Sequence, residues 1–157
     1  MNGLKNEMEW IDVMGPRIRT ISSMTAPSSD YCIMDAVIAP GVFIPLHSHD
    51  DRETFYILSG AAEGFLDGRW HRLEAGDILD IEGGEKHAWR NASGEDAHLL
   101  LITTMRMKQF FDEIGRPVSR TPAPLSPDAL GHLLEVAKRY GYWLATPQEN
   151  LAIGISL

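Results

Sequence analysis

Between residues 31 and 105 the chain is written in short apolar runs, at 31–38, 42–46, 54–58, 62–66, 77–81, 87–90 and 97–104. Turn-forming pairs separate them: Pro40-Gly41, Ser59-Gly60, Asp67-Gly68, Gly83-Gly84 and Ser93-Gly94, with His49-Asp50-Asp51 after the second run. Runs of this length at this spacing predict strands of a β-sandwich or barrel. Asp67-Gly68, set between Phe65-Leu66 and Arg69-Trp70, predicts a two-residue hairpin. Upstream, Arg17 to Ile21 alternates polar and apolar as an edge strand does, and 26–30 reads as a loop.

After residue 105 the period changes. Met107, Phe110, Phe111 and Ile114 fall on one helical face, with Gly115 and Pro117 ending the pattern. A proline-rich connector covers 116–125. A second helix opens with Ser126 as N-cap, Pro127 at its first position and Asp128 in its first turn, and ends at Lys138, Arg139 and Gly141. Its expected apolar stripe is Leu130, Leu133, Leu134, Ala137 and Tyr140. The long connector excludes a helix-turn-helix, which needs a short turn.

Composition narrows the reading. At 157 residues the chain is of single-domain size. Residues 1–105 hold eight basic against seventeen acidic side chains, a net of −9, while 106–157 hold six against five. An acidic chain without a basic run makes a poor binder of nucleic acid or anionic membrane. The absence of a long apolar run, of an apolar stretch behind a basic start, and of any cysteine but Cys32 leads to the expectation of a cytoplasmic protein.

The chemistry gathers after the second apolar run. His47 and His49 alternate, so in a strand they share a face, and Glu53 opens the next run. His87 opens another strand after Gly83-Gly84. Two or three imidazoles and a carboxylate on one rim suit a transition metal. Strand parity adds Phe55 and Ile57 to the face of Glu53, Trp89 to that of His87 and Phe43 to that of His47; together they read either as an apolar pocket or as ordinary core. His98 reads as a core residue, His71 and His132 as surface residues, Cys32 and the methionines as core filler, and Asp50, Asp51 and Arg52 as a solvated turn.

Gly41, His47, His49, Glu53 and Gly60 match throughout the first motif of the cupins, Gly-x5-His-x-His-x3-4-Glu-x6-Gly; Gly76, Gly84, His87 and Asn91 match the second, with Glu82 standing where the family has proline. The chain therefore resembles a small single-domain cupin, and its tail resembles the helical extension of quercetin-dioxygenase-like members. The resemblance implies an all-β double-stranded β-helix, a jelly-roll barrel over 1–105, followed by two helices in an extension over 106–157 that packs on the barrel or on a dimer partner. It implies one divalent metal (Fe, Mn, Ni, Cu or Zn) held by His47, His49, Glu53 and His87, with two positions of an octahedral shell left open, and a homodimer.

Three functions fit these residues. The first expectation is a metal-dependent dioxygenase acting on a small phenolic, flavonol-like or diketone substrate, with Glu53 as catalytic ligand and proton acceptor and Phe43, Phe55, Ile57 and Trp89 as pocket wall. The alternatives are a metal-assisted isomerase, lyase or decarboxylase of a small acid or sugar, and a barrel that binds a small molecule without turnover.

Overall fold

A computed structural model of the chain describes residues 9–21, 30–120 and 125–157. Most of the loop expected at 26–30, residues 121–124 of the connector and residues 1–8 of the barrel region lie outside the described residues. Two antiparallel sheets face each other. One runs in the order β11 (Arg116–Pro117), β1 (Ile11–Asp12), β2 (Arg17–Thr20), β3 (Tyr31–Ile38), β10 (Ala97–Thr104), β5 (Glu53–Ser59), β8 (Ile78–Ile81). The other runs β12 (Trp143–Leu144), β4 (Phe43–Ser48), β9 (His87–Arg90), β6 (Ala61–Leu66), β7 (Arg69–Glu74). This is the expected jelly roll. Asp67-Gly68 joins β6 and β7 as read, with Asp67 at φ 53°.

The space between the sheets is filled by alternating residues of both. Phe55 and Ile57 of β5, Leu79 and Ile81 of β8, Leu99 and Leu101 of β10, and Trp89 of β9 form one buried cluster. Their outward neighbours Tyr56, Leu58 and Ile78 are exposed. The period of two thus survives wherever the ladder is regular.

In β4 it does not. Ile44 pairs with Trp89 and His47 with His87, so β4 uses three steps where β9 uses two. That bulge at Pro45–Leu46 inverts parity. Ile44 turns toward the core cluster, and Phe43 turns to the outer face, packing against Leu46, Phe65, Ala88 and Ile155. The expectation that Phe43 shares the face of His47 is corrected by this one extra residue.

The extension contains both expected helices and a third. Helix α1 (Met105–Ile114) is capped by Thr104, whose side chain accepts from the Met107 N–H. Helix α2 (Pro127–Tyr140) has the expected Ser126 cap and ends at Gly141 in the left-handed region, φ 73°. Its buried face is Val136 and Ala137, flanked by Leu133 and Tyr140; Leu130 and Leu134 of the expected stripe are exposed. Helix α3 (Pro147–Ala152) is too short to show a period and was not foreseen; its sequence signal is the capping box Thr146–Glu149. Beyond it Ile153 and Ile155, with Trp143 and Ala145, cover the outer face of the five-stranded sheet.

Asn150 of α3 is fully buried. Its Oδ1 accepts the Leu46 N–H at 2.8 Å, and its Nδ2 donates to Thr146 O at 3.1 Å and Ala145 O at 3.3 Å. The Leu46 N–H sits in the bulge, so a side chain of the extension serves it. Replacing Asn150 with Ala should cost about 2 kcal/mol in urea unfolding, because it strands buried donors and acceptors. Leu151→Ala, on an exposed neighbour, should change stability by less than about 0.5 kcal/mol. Equal effects would remove the bulge from the account.

Candidate metal centre

The four ligand candidates come from both sheets. His47 lies in β4 directly opposite His87 at the start of β9; His49 follows the end of β4; Glu53 opens β5 in the other sheet. Their ligand atoms all lie within 4.8 Å of one another. His49, Glu53 and His87 are buried, and His47 is half-buried.

Each imidazole is fixed by a backbone carbonyl two residues away. His47 Nδ1 donates to Pro45 O at 2.7 Å, His49 Nδ1 to Asp51 O at 2.9 Å, and His87 Nδ1 to Glu85 O at 2.8 Å. A carbonyl can only accept, so Nδ1 carries the proton and Nε2 of the neutral ring presents a lone pair. His87 Nε2 stands 3.0 Å and His49 Nε2 3.5 Å from the same oxygen, Glu53 Oε2. Among the described residues, His49 Nε2 is one of two buried side-chain polar atoms without a hydrogen-bond partner; the other is Trp89 Nε1. Converging lone pairs and an orphaned imidazole nitrogen are what a cation satisfies, so the residues fit a divalent metal.

The electrostatics agree. Burial, then the neighbouring imidazoles of His87 and His49, lower His47 to about 3, so its ring is neutral at pH 7. Burial alone would raise Glu53, but the imidazoles of His49 and His87 beside its carboxylate outweigh it and hold the carboxyl well below the usual range. Burial works against the charged form of His49, yet Glu53 raises it above the ordinary value. A proton held between Glu53 and His49 would compete with a metal for the same lone pairs.

The loop carrying His87 docks on the loop carrying His49. Gly84, at φ 86°, donates its N–H to His49 O at 2.7 Å, and a Cβ on Gly83 would stand 2.3 Å from Asp50 O. Glu82, which replaces the motif proline, uses the N–H that proline lacks to bond Glu85 Oε2 at 2.8 Å. Asn91 is buried and pins the next turn, donating to Ile38 O and Glu95 O and accepting from Ser93.

Several expectations are revised. Asp51, read as part of a solvated turn, is 6% exposed. Its carboxylate accepts from Thr104 Oγ1 at 2.5 Å, Tyr142 Oη at 2.6 Å and Arg106 Nη1 at 3.3 Å. Burial first, then Asp51, pushes the Tyr142 hydroxyl far above its ordinary value, so it stays a donor. Asp50 and Arg52 are exposed, as read. His98 points outward and is exposed rather than core. His71 is half-buried, and His132 is exposed as expected. Cys32 is fully buried, and burial raises its thiol to about 11, as suits a packed, inert sulfur. Phe55, Ile57 and Trp89 follow the ligands on the inward faces, where the Phe55 and Trp89 rings lie 4.6 Å apart within the packed core. Tyr142 was missed, although it stacks 5.0 Å from His49; the one local signal was its place after the Gly141 cap.

Comparison with known proteins agrees with this fold. The Cupin domain family model matches residues 34–103. The chain is similar in fold to KdgF from a Halomonas species (TM-score 0.56, 21% identity, 68% of this chain and 94% of that one). It is similar to a predicted oxalate decarboxylase from Thermotoga maritima (0.57, 21%, 66% and 98%). It is also similar to the polyketide cyclase RemF from Streptomyces resistomycificus (0.57, 17%, 66% and 79%). At these identities the likeness is one of fold. No curated protein matches the sequence.

Two outcomes test the centre. Wild-type protein dialysed against Zn(II) or Mn(II) should retain one equivalent by elemental analysis, and the His47→Ala/His49→Ala double variant none; unchanged stoichiometry would refute the site. Folded His47 stays neutral down to about 3 against an ordinary 6.5. The unfolded chain therefore binds more protons in that window, and the stability from this ring is lost as pH falls through it. Metal-free His47→Gln should accordingly lose stability less steeply than metal-free wild type below pH 6.5. Identical slopes in urea titrations would contradict a neutral ring.

Proposed function

We propose that this chain, whose residues 34–103 form a cupin domain, is a divalent-metal-dependent enzyme, and that it oxidises a small planar enol, diketone or phenolic compound with dioxygen. One observation carries the choice of substrate class. The inward positions that continue the ligand rows are apolar or aromatic: Ile44, Phe55, Ile57, Ile81, Trp89 and Leu101, all in or packed on one cluster. Among the described residues the nearest cation to the ligands that the contacts show, Arg106, is bonded to Asp51 rather than turned to this row. That apolar and aromatic row, packed as core beneath one metal, supports a flat organic molecule with a single ionisable oxygen lying at the edge of the row rather than within it.

The bound metal would polarise that oxygen and favour its deprotonated form. The remaining work belongs to the chain. His47, His49 and His87 are aimed at the site by their Nδ1–H bonds, which leave Nε2 as the atom that would bind. Glu53 supplies the one carboxylate among the ligands and, with the His49 imidazole 3.5 Å away, a place where a substrate proton can rest. The aromatic core excludes water from the reacting atoms.

A second reading has its own support. Of the proteins similar in fold, one is named a predicted oxalate decarboxylase, one a polyketide cyclase and a third, from Ruegeria pomeroyi, a DMSP lyase. On that reading the metal acts without dioxygen. Protein loaded in turn with Fe(II), Mn(II), Ni(II), Cu(II) and Zn(II) should consume oxygen in the presence of acetylacetone or a flavonol. Glu53→Gln should lower the rate by at least about 100-fold. Turnover of the same panel under nitrogen would replace the first reading with the second, and metal binding without turnover would leave a binding barrel.

A further inference from the structure

The extension reaches the metal centre at a single buried carboxylate. Asp51 lies two residues past His49 and two before Glu53, and its backbone carbonyl receives His49 Nδ1 at 2.9 Å. Its carboxylate is almost wholly enclosed, and Thr104, Arg106 and Tyr142 donate to it. Two of those donors belong to the extension and the third is the cap of α1. Tyr142 is placed with care: Gly141 closes α2 in the left-handed conformation, the Tyr142 N–H returns to Ala137 O at 2.9 Å, and the ring packs on Phe110 at 4.7 Å. The hydroxyl then meets Asp51 at 2.6 Å while the ring faces His49 at 5.0 Å.

From this relay we propose that Tyr142 is a positioning residue for the metal centre, acting through Asp51 to fix the direction of His49 Nε2 and thereby setting metal affinity. The proposal rests on the four-residue metal site described above. Its logic is geometric. His49 has no other bond to hold its ring, because Nε2 lacks a hydrogen-bond partner. The ring therefore follows the Asp51 carbonyl, whose residue is held by the grip on its own side chain and, one residue on, by Thr103 Oγ1 donating to Arg52 O at 2.9 Å. Without the Tyr142 hydroxyl, Asp51 keeps one buried donor, Thr104, and one from Arg106, whose side chain is 47% exposed. With its strongest buried grip lost, the Asp51 side chain restrains its residue less, and the carbonyl that aims His49 is less tightly fixed. Hydrogen-bond partners behind metal ligands commonly set affinity by factors of about 10 to 100.

The contrast residue is Tyr140. Its hydroxyl bonds Glu113 at 2.7 Å on the exposed side of the α1–α2 contact. Tyr140→Phe thus removes a phenol hydroxyl from the same extension without touching the relay.

The test uses the full chain and Co(II) alone as probe, read by competition with a chromophoric chelator and by the visible spectrum of the bound ion. Tyr142→Phe should weaken Co(II) binding about tenfold and shift the spectrum, Asp51→Asn should weaken it further, and Tyr140→Phe should match wild type in both. A Tyr142→Phe protein that loses thermal stability yet binds Co(II) with wild-type affinity and spectrum overturns the proposal, because the contact is then structural only. If Tyr142→Phe does not fold, Asp51→Asn decides by the same measure: weaker binding with a shifted spectrum supports the relay, and wild-type binding overturns it. Wild-type protein that takes up no Co(II) refutes the metal site itself and this proposal with it. Wild type that binds while every variant binds equally refutes the relay alone.

Discussion

Four ligand atoms converge within 4.8 Å of one another, three of them on buried residues, an arrangement that a cation placed between them satisfies at once. That constraint orders much of the surrounding chain. Left to relax, the imidazoles would turn and find donors. Each is prevented by a carbonyl two residues away, so the loops at 45–51 and 85–87 must have fixed backbone. Fixed loops need anchors in turn. Gly84 ties the second loop to the first, and Asp51 and Asn150 tie the first to the extension. A site of converging ligand atoms is kept in shape by hydrogen bonds outside it, as preorganised metal sites require.

The extension is therefore better described as the second wall of the ligand strand than as a separate unit beside a barrel. Strand β12 pairs with β4 at His47 and Ser48. Asn150 serves the bulge just before His47, and Tyr142 and Arg106 grip Asp51, two residues after His49. Residues 153–155 cover the outer side of the same sheet. The charge split along the sequence gains meaning here. The excess acid before residue 105 includes Asp51 and Glu53, both buried, and the slight excess of base after it includes Arg106, which answers Asp51 across that divide.

The sequence was legible where local rules act alone. Ligand spacing, the Asp67-Gly68 hairpin, the caps of α2 and the alternation of β5 each depend on residues a few positions apart. It misled where one long-range partner changes a local rule. Phe43 has the parity of His47 on paper, but a bulge whose free N–H is satisfied by Asn150, 104 residues on, inverts it. Asp51 looks like any turn aspartate until Tyr142 arrives from 91 residues away. Leu130 and Leu134 continue an apolar stripe that the neighbouring elements do not cover, while Val136 lies on the face that they do.

The departure at Glu82 shows the same economy at shorter range. A proline in this turn restricts φ and offers no N–H. Glu82 gives up that restriction but donates to Glu85 Oε2, and Glu85 returns its own N–H to Glu82 O at 3.3 Å. Glu85 is also the residue whose carbonyl accepts His87 Nδ1. The stiffness that a ring would give the turn is supplied by a pair of hydrogen bonds, and the pair closes on the residue that aims the ligand. Replacing the motif residue has moved the constraint three positions along the chain, and it still acts on His87.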